Sequence, residues 1–248
     1  MIVALLIGRE GSLGFAGKNV FPVIGRPMME YPLMAASEAE SVDRVYVSTD
    51  SETIKEIGRK HGAIILDRPP ELCTPAALGE NVFVHGYHTI RDMLANEQES
   101  VELIALMHCN SPTIRAATLD EGVRVLLANP DYDSAVTVSR YNMWSPLRAR
   151  KIGPEGLLHP FVPFEFFGDP KRLNCDRDSQ GDVWFADMGV SIVRPRCLDH
   201  IEEGLLPQKW MGQRIYPLKQ WGGCDVDYRW QIPQVEYWLR EYTPGSQE

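Results

Sequence analysis

The 248-residue chain has little that would staple it or anchor it. Its five cysteines, Cys73, Cys109, Cys175, Cys197 and Cys224, are odd in number and scattered, and no C-x-x-C occurs. A disulfide framework or a cysteine zinc site is excluded, and the pattern predicts free thiols in a reducing, cytoplasmic setting. No apolar run approaches the roughly 18 residues of a membrane span. A basic excess is missing too: 25 Lys+Arg stand against 34 Asp+Glu, a net charge of −9. That argues against a nucleic-acid polymer as partner. It leaves a small anionic ligand open, because a local site can oppose the net charge. Internal repeats and low-complexity tracts are absent, and 44% hydrophobic with 24% charged residues excludes disorder, collagen and coiled coil. His85 and His88 share a helix face at i, i+3 but lack a nearby third ligand, so no metal is assigned to them.

What is present is an α/β pattern in a chain long enough to bury a core unaided. Residues 2–7 (IVALLI) read as a strand buried on both faces rather than a secretory signal, for no basic segment or small-residue cleavage site accompanies them. Strands are expected at 44–48, 63–66, 102–107 and 134–138, with helices at 28–40, 52–61, 77–96 and 116–128. Pro32 must fall in the first turn of its helix, and Gly62 ends the second. Leu119, Val123, Leu126 and Leu127 are expected on one face of the fourth. From Tyr141 to about Ala186 the periodicity lapses and Pro and aromatic residues crowd together. After residue 188 a strand, a helix near 198–203, a strand near 215–218 and a helix at 231–241 restore the pattern.

The expected architecture is a Rossmann-like, mostly parallel sheet with helices on both faces. Residues 1–139 and 187–248 form the nucleotide-binding α/β domain, and 140–186 form an inserted, aromatic-rich arm. Such sheets bind ligands beyond the carboxyl ends of their strands, so the loops after residues 7, 48 and 107 draw attention.

Residues 8–19 read G-R-E-G-S-L-G-F-A-G-K-N. Glycines permit positive φ and present successive N–H groups to anionic oxygens, while Arg9 and Lys18 supply positive charge. This suits a triphosphate. The spacing fits neither the G-x-G-x-x-G dinucleotide fingerprint nor the Walker A loop. Far along the chain, Asp225 and Asp227 stand two apart, so extended backbone turns both to one side. Two carboxylates with phosphate oxygens suit Mg²⁺, the cation a nucleoside triphosphate requires. Asp131/Asp133 and Asp176/Asp178 share the spacing in loop-like surroundings and are read as solvated pairs. Asn110 and Ser111 follow a strand end and are candidate nucleotide or acceptor contacts. Asp50, at a strand–helix junction, is explained as the N-cap of the following helix.

Taken in order, Arg9-x-Gly11-Ser12 with Gly17-Lys18-Asn19, Val47-Ser48-Thr49-Asp50, Arg68-Pro69-Pro70-Glu71-Leu72, Asn110-Ser111-Pro112 and Asp225-Val226-Asp227 resemble the motifs of the CMP-sugar synthetases, the acylneuraminate cytidylyltransferases and their relatives. The resemblance implies a CTP-dependent cytidylyltransferase acting on a small acidic sugar of the nonulosonic or keto-acid type, with Mg²⁺ and without a covalent intermediate. It implies catalytic roles for Arg9, Lys18 and Asp227, nucleotide contacts from Gly11, Ser12, Asn19, Arg68, Asn110 and Ser111, and metal ligation by Asp225 and Asp227. It further implies a homodimer whose arm serves as acceptor pocket and dimer contact.

The match is imperfect. Leu13 stands where the family has lysine, Glu10 where it often has glycine, Asn110 where it has threonine, and Thr113-Ile114-Arg115 differs from its usual ending. These departures mark a divergent branch. They leave open a phosphonate or other small acid as acceptor, or a non-catalytic nucleotide-binding protein on the same fold.

Overall fold

The computed structural model describes residues 1–11 and 14–245. Seven strands form the central sheet: β1 (Ile2–Ile7), β2 (Arg44–Thr49), β3 (Ile64–Asp67), β4 (Leu103–His108), β5 (Ser134–Arg140), β6 (Trp184–Val193) and β7 (Ile215–Gln220), in the order β7-β5-β6-β4-β1-β2-β3. β1 runs parallel to β2 and β4, and β2 parallel to β3. The departure from alternating crossovers is β6, which runs antiparallel to β4. No crossover helix precedes it, because the chain arrives from the arm, and antiparallel pairing needs none.

Helices α1 (Glu30–Glu38), α2 (Glu52–Lys60), α3 (Gly79–Asn96), α4 (Ala116–Ala128), α5 (Arg196–Asp199) and α6 (Ile232–Glu241) complete the described elements that matter to the site. β1 shows why both faces are covered. Ala4 and Leu6 belong to the core that includes Leu33 and Ala36 of α1 and Leu119 and Val123 of α4. Leu5 points the opposite way, since side chains alternate along a strand. There α3 comes so close that a Cβ on Gly86 would lie 2.6 Å from Leu5 Cδ2.

Most expected boundaries hold within two or three residues, and α4 matches at both ends. The fourth helix buries Leu119, Val123 and Leu126, but Leu127 is 47% exposed. One residue beyond Leu126 rotates about 100° around the axis and off the apolar stripe. The helix expected near 198–203 is instead the single turn of α5 followed by a 3₁₀ turn, Ile201–Glu203. Asp50 is not the cap of α2: Ser51 occupies that position, and the Asp50 carboxylate accepts the backbone N–H of Glu10 at 3.0 Å. No helix among the described residues is long and apolar enough to cross a membrane.

The chain divides into two compact units, Met1–Val138 with Asp187–Glu248, and Ser139–Ala186. The second unit contains an antiparallel pair, Arg150–Ile152 with Leu158–Pro160, and several 3₁₀ turns. Its base is tied by Asn142, whose side chain donates to Asp178 at 2.6 Å and accepts the N–H of Val183 at 2.9 Å. Trp144, Ile152, Leu158, Phe161 and Phe166 are each more than 60% exposed in the single chain.

Candidate active site

β1 and β4 are neighbours, and their last residues, Ile7 and His108, stand in register. Both strands therefore open onto the same edge of the sheet, where a cleft of about 370 Å³ forms. The glycine-rich loop leaves β1 there, and the Asn110 turn leaves β4 beside it.

The loop is fixed at several points. Asn19 Nδ2 donates to the carbonyl of Arg9 at 3.1 Å, tying its end to its beginning. Asp50 holds Glu10. Gly17 takes φ of +71° before the single turn Lys18–Val20, a backbone state that a Cβ would strain. Arg68 braces the loop from below, donating to the carbonyls of Gly8 at 3.0 Å and Ser48 at 2.6 Å. Burial lowers the pKa of this guanidinium, opposed by the nearby Asp50 carboxylate.

The acidic segment reaches the same cleft by strand-like pairing with the Asn110 turn. The Val226 N–H donates to the Asn110 carbonyl at 2.8 Å, and Asn110 Nδ2 donates to the Val226 carbonyl at 3.0 Å. Cys224 and Thr113 pair through the Thr113 hydroxyl. Val226 is fully buried among Val23, Met28, Ile232 and Val235. With Val226 turned inward, its neighbours Asp225 and Asp227 face the cleft. Gln231 locks the end, accepting the N–H groups of Asp227 and Tyr228 and donating to the Asp225 carbonyl.

The two segments meet. Lys18 Nζ lies 2.6 Å from Asp227 Oδ1, and a Cβ on Gly14 would come within 2.9 Å of the Asp227 carbonyl oxygen. Only glycine lets the loop approach this closely. The cleft wall carries three cations, Arg9, Lys18 and Arg68, against two carboxylates, Asp225 and Asp227. Arg9 Nη1 and Asn19 Oδ1 are buried without a hydrogen-bond partner among the described residues. Leaving such atoms unpaired costs about 1–3 kcal/mol each.

Asp225 differs from the other acids at the same spacing. Burial raises its pKa, and the Asp227 charge raises it further, against Lys18. Asp133, by contrast, is pulled below the usual range: although burial opposes this, the amides of Arg214 and Gln213 and the Arg196 side chain stabilise its charge. Arg177 and Asn142 hold Asp178 down to about 2. Asp133 and Asp178 are thus held charged by their partners, whereas Asp225 is a half-buried acid beside a second one. No group of three or more His, Cys, Asp or Glu able to hold a metal occurs among the described residues. A Mg²⁺ ion that takes one or two carboxylates together with phosphate oxygens does not require one, and the hard oxygen donors of Asp225 and Asp227 fit it.

The cleft unites Arg9, Lys18, Asn19, Arg68, Asn110, Asp225 and Asp227. It does not unite every expected residue. Gly11 takes φ of +69° but is exposed and off the wall, and Ser111 is wholly buried behind it with its hydroxyl unpartnered among the described residues. Ser12 lies outside the described residues. Sequence reasoning passed over His108, which lines the cleft edge-on to Phe83. Burial and the neighbouring Lys18 hold its imidazole down to about 4, against Asp227, so it is neutral near pH 7. Its place as the last residue of a buried strand was the available signal.

A sequence profile described as cytidylyltransferase matches residues 3–145. Over 141 residues the chain is 31% identical to an N-acylneuraminate cytidylyltransferase of Escherichia coli, a stretch of 57% of this chain and 32% of that protein. The chain thus spans about a third of the length of such relatives. It is 26% identical to a CMP-N,N'-diacetyllegionaminic acid synthase of Legionella pneumophila, covering 88% of this chain and 97% of that one. Among solved structures, a CMP:2-keto-3-deoxy-manno-octonic acid synthetase complexed with CTP superposes with a TM-score of 0.67 at 13% identity, covering 97% and 98% of the two chains. A 4-diphosphocytidyl-2C-methyl-D-erythritol synthase from Anaerococcus prevotii gives 0.60 at 12% identity, covering 97% and 96%. At these identities the structures attest the fold.

The state of Asp225 predicts a measurable trade. Its folded pKa exceeds the ordinary value of 3.8, so its contribution to stability is full below that value and is lost as pH rises through the folded pKa. Asp225→Asn removes that loss. In the absence of metal the variant melts with the wild type below about pH 4 and above it at neutral pH. A neutral-pH melting temperature below that of wild type contradicts the assignment.

Proposed function

The chain belongs to the cytidylyltransferase family, and on that footing we propose that it transfers CMP from CTP to a small acidic keto-sugar, releasing pyrophosphate. The observation that carries this reading is the meeting of Lys18 and Asp227, 209 residues apart in sequence and 2.6 Å apart in one cleft. A polyanion-binding loop and a cation-binding acid pair share a wall, as a metal–triphosphate substrate demands. The names of the relatives, which act toward N-acylneuraminate, 3-deoxy-manno-octulosonate and N,N'-diacetyllegionaminate, support an acidic nonulosonic or octulosonic acceptor.

In this reading the triphosphate lies along residues 8–19. Arg9 offers its unpartnered Nη1 to a phosphate oxygen, and Lys18 neutralises charge that builds on the departing pyrophosphate. The neutral His108 and the amide of Asn110 offer hydrogen bonds that do not compete for phosphate charge. An acceptor oxygen attacks the α-phosphorus as the bond to the bridging oxygen of the β-phosphate breaks. Such transfer depends on in-line positioning and charge stabilisation rather than on a covalent nucleophile. Asp225 and Asp227 are the residues that would hold Mg²⁺, which would supply Lewis acidity there.

Two measurements test the reading. With CTP, Mg²⁺ and a panel of N-acetylneuraminate, 3-deoxy-manno-octulosonate, a legionaminate and a phosphonate, pyrophosphate release is expected for one acceptor. Asp227→Ala is expected to reduce it by at least about 100-fold with an unchanged melting profile, the Asp227 side chain being 58% exposed. CTP binding without release across the panel favours a nucleotide-binding protein instead, and full activity of Asp227→Ala sinks the metal assignment. A homodimer also belongs to this reading. It is supported by the exposed aromatic and aliphatic side chains of residues 139–186, a composition suited to a subunit interface. Sedimentation at twice the 28.0 kDa chain mass is the expected result, and a monomer at micromolar concentration refutes it.

A further inference from the structure

We infer that Thr113, with Gln220 and Asp187 behind it, positions the acidic segment at Asp225 for the transfer, so that these three buried residues govern turnover from outside the cleft. The inference rests on the proposed function and deepens it. It starts from Thr113-Ile114-Arg115, a stretch where this chain departs from the family pattern.

Thr113 is wholly buried and does not line the cleft. Its hydroxyl clamps the residue before Asp225 in both directions. It accepts the Cys224 N–H at 2.9 Å and donates to the Cys224 carbonyl at 3.0 Å. A hydroxyl can do both at once, because it carries a donor and free lone pairs. Asn110 likewise takes both backbone groups of Val226. The two residues flanking Asp225 are therefore each held from the Asn110–Arg115 side, and Asp225 is suspended between them. Arg115 extends the fastening into the next helix. It donates to the Leu239 carbonyl of α6 at 2.8 Å and lies 4.7 Å over the Trp238 ring.

Behind Thr113 a buried polar network fixes its carbonyl. Gln220, the last residue of β7, donates from Nε2 to the Thr113 carbonyl at 3.1 Å and to Asp187 Oδ2 at 2.9 Å. Gln220 Oε1 is buried without a partner among the described residues, so two acceptors of the amide nitrogen hold the side chain in one orientation. Asp187 is 4% exposed. Its other oxygen accepts the Gly189 N–H at 3.2 Å, bridging Met188, whose φ is +64°. Backbone strain of this kind persists where the surroundings over-determine it, and it gathers at functional sites. The network has no slack. A Cβ on Gly223 would lie 2.5 Å from Asp187 Oδ2, and one on Gly189 would lie 3.0 Å from the Thr113 carbonyl oxygen. A rigid chain of contacts thus runs from Asp187 through Gln220, Thr113 and Cys224 to Asp225. Phosphoryl-type transfer is sensitive to placement, and a shift of about 1 Å at a positioned group can cost about 100-fold in rate.

Two substitutions at Thr113 separate positioning from packing. Valine keeps the volume and loses the hydroxyl; serine keeps the hydroxyl and loses a methyl. Thr113→Val is expected to lower kcat for pyrophosphate release at least about tenfold and to change KM for CTP less than about twofold, whereas Thr113→Ser stays near wild type. In the chain without metal or nucleotide, the Cys224 and Val226 amides are expected to exchange hydrogen at least about tenfold faster in Thr113→Val and at the wild-type rate in Thr113→Ser. A packing role gives the opposite order, with serine the worse of the two. Wild-type kcat in Thr113→Val, or a loss in Thr113→Ser as large as in Thr113→Val, overturns the inference while the proposed function stands. If Thr113→Val does not fold, Asp187→Asn decides, since its amide turns a donor toward one of the two N–H groups that the carboxylate accepts. A lowered kcat with unchanged KM and faster exchange at Cys224 supports the inference, and any other result overturns it. If wild type releases no pyrophosphate with any acceptor, the proposed function fails and this inference with it.

Discussion

An ion pair between the front and the back of the chain marks the candidate site of this protein. Lys18 and Asp227 meet at 2.6 Å because two independent pieces of local structure deliver them. The strand β1 hands over to a loop that is tied at Arg9 and Glu10, and the buried Val226 pins an acidic segment to the Asn110 turn. Removing either delivery system would leave the charges without a common wall. The sheet matters to function chiefly as the frame that sets the ends of β1 and β4 side by side.

The same cleft gathers several groups that the chain itself leaves unsatisfied. Outside the cleft, Asp133 is matched to Arg196 and two backbone amides. In the cleft a half-buried acid stands beside a second one, an arginine nitrogen and an amide oxygen lack partners among the described residues, and a histidine is held neutral by burial. Proteins violate their own packing and pairing rules mainly at functional sites. The meeting of unpartnered atoms, two adjacent acids and a neutral histidine in one cleft singles it out more sharply than its size does. A larger cavity of about 610 Å³ in residues 139–186, lined by Leu147, Phe164 and exposed arginines, has no comparable set of unsatisfied groups.

The fold was legible from periodicity wherever one face of an element is buried. α4 could be read to the residue because its apolar stripe is regular and Arg115 precedes it in extended backbone. The direction of β6 was not legible, since its residues are apolar whichever way the strand runs. The glycine-rich loop and the D-x-D pair were visible as chemistry, yet their adjacency was not. It depends on Val226 being buried and on Asn110 pairing with it, and neither leaves a local sequence signature. Asp50 was misread for a related reason: a carboxylate before a helix looks like a cap, and its long-range acceptor role for Glu10 is a tertiary fact. Ser111 was singled out with Asn110 as a strand-end residue, but of these two buried residues only Asn110 lines the cleft.

Crystals grown with CTP and Mn²⁺, measured at the manganese absorption edge, test the central claim most directly. The account predicts an anomalous peak in contact with the Asp225 and Asp227 carboxylates and with triphosphate oxygens, and Lys18 Nζ moved from Asp227 onto a phosphate. A triphosphate lying away from residues 8–19, or a manganese peak remote from both aspartates, would contradict it.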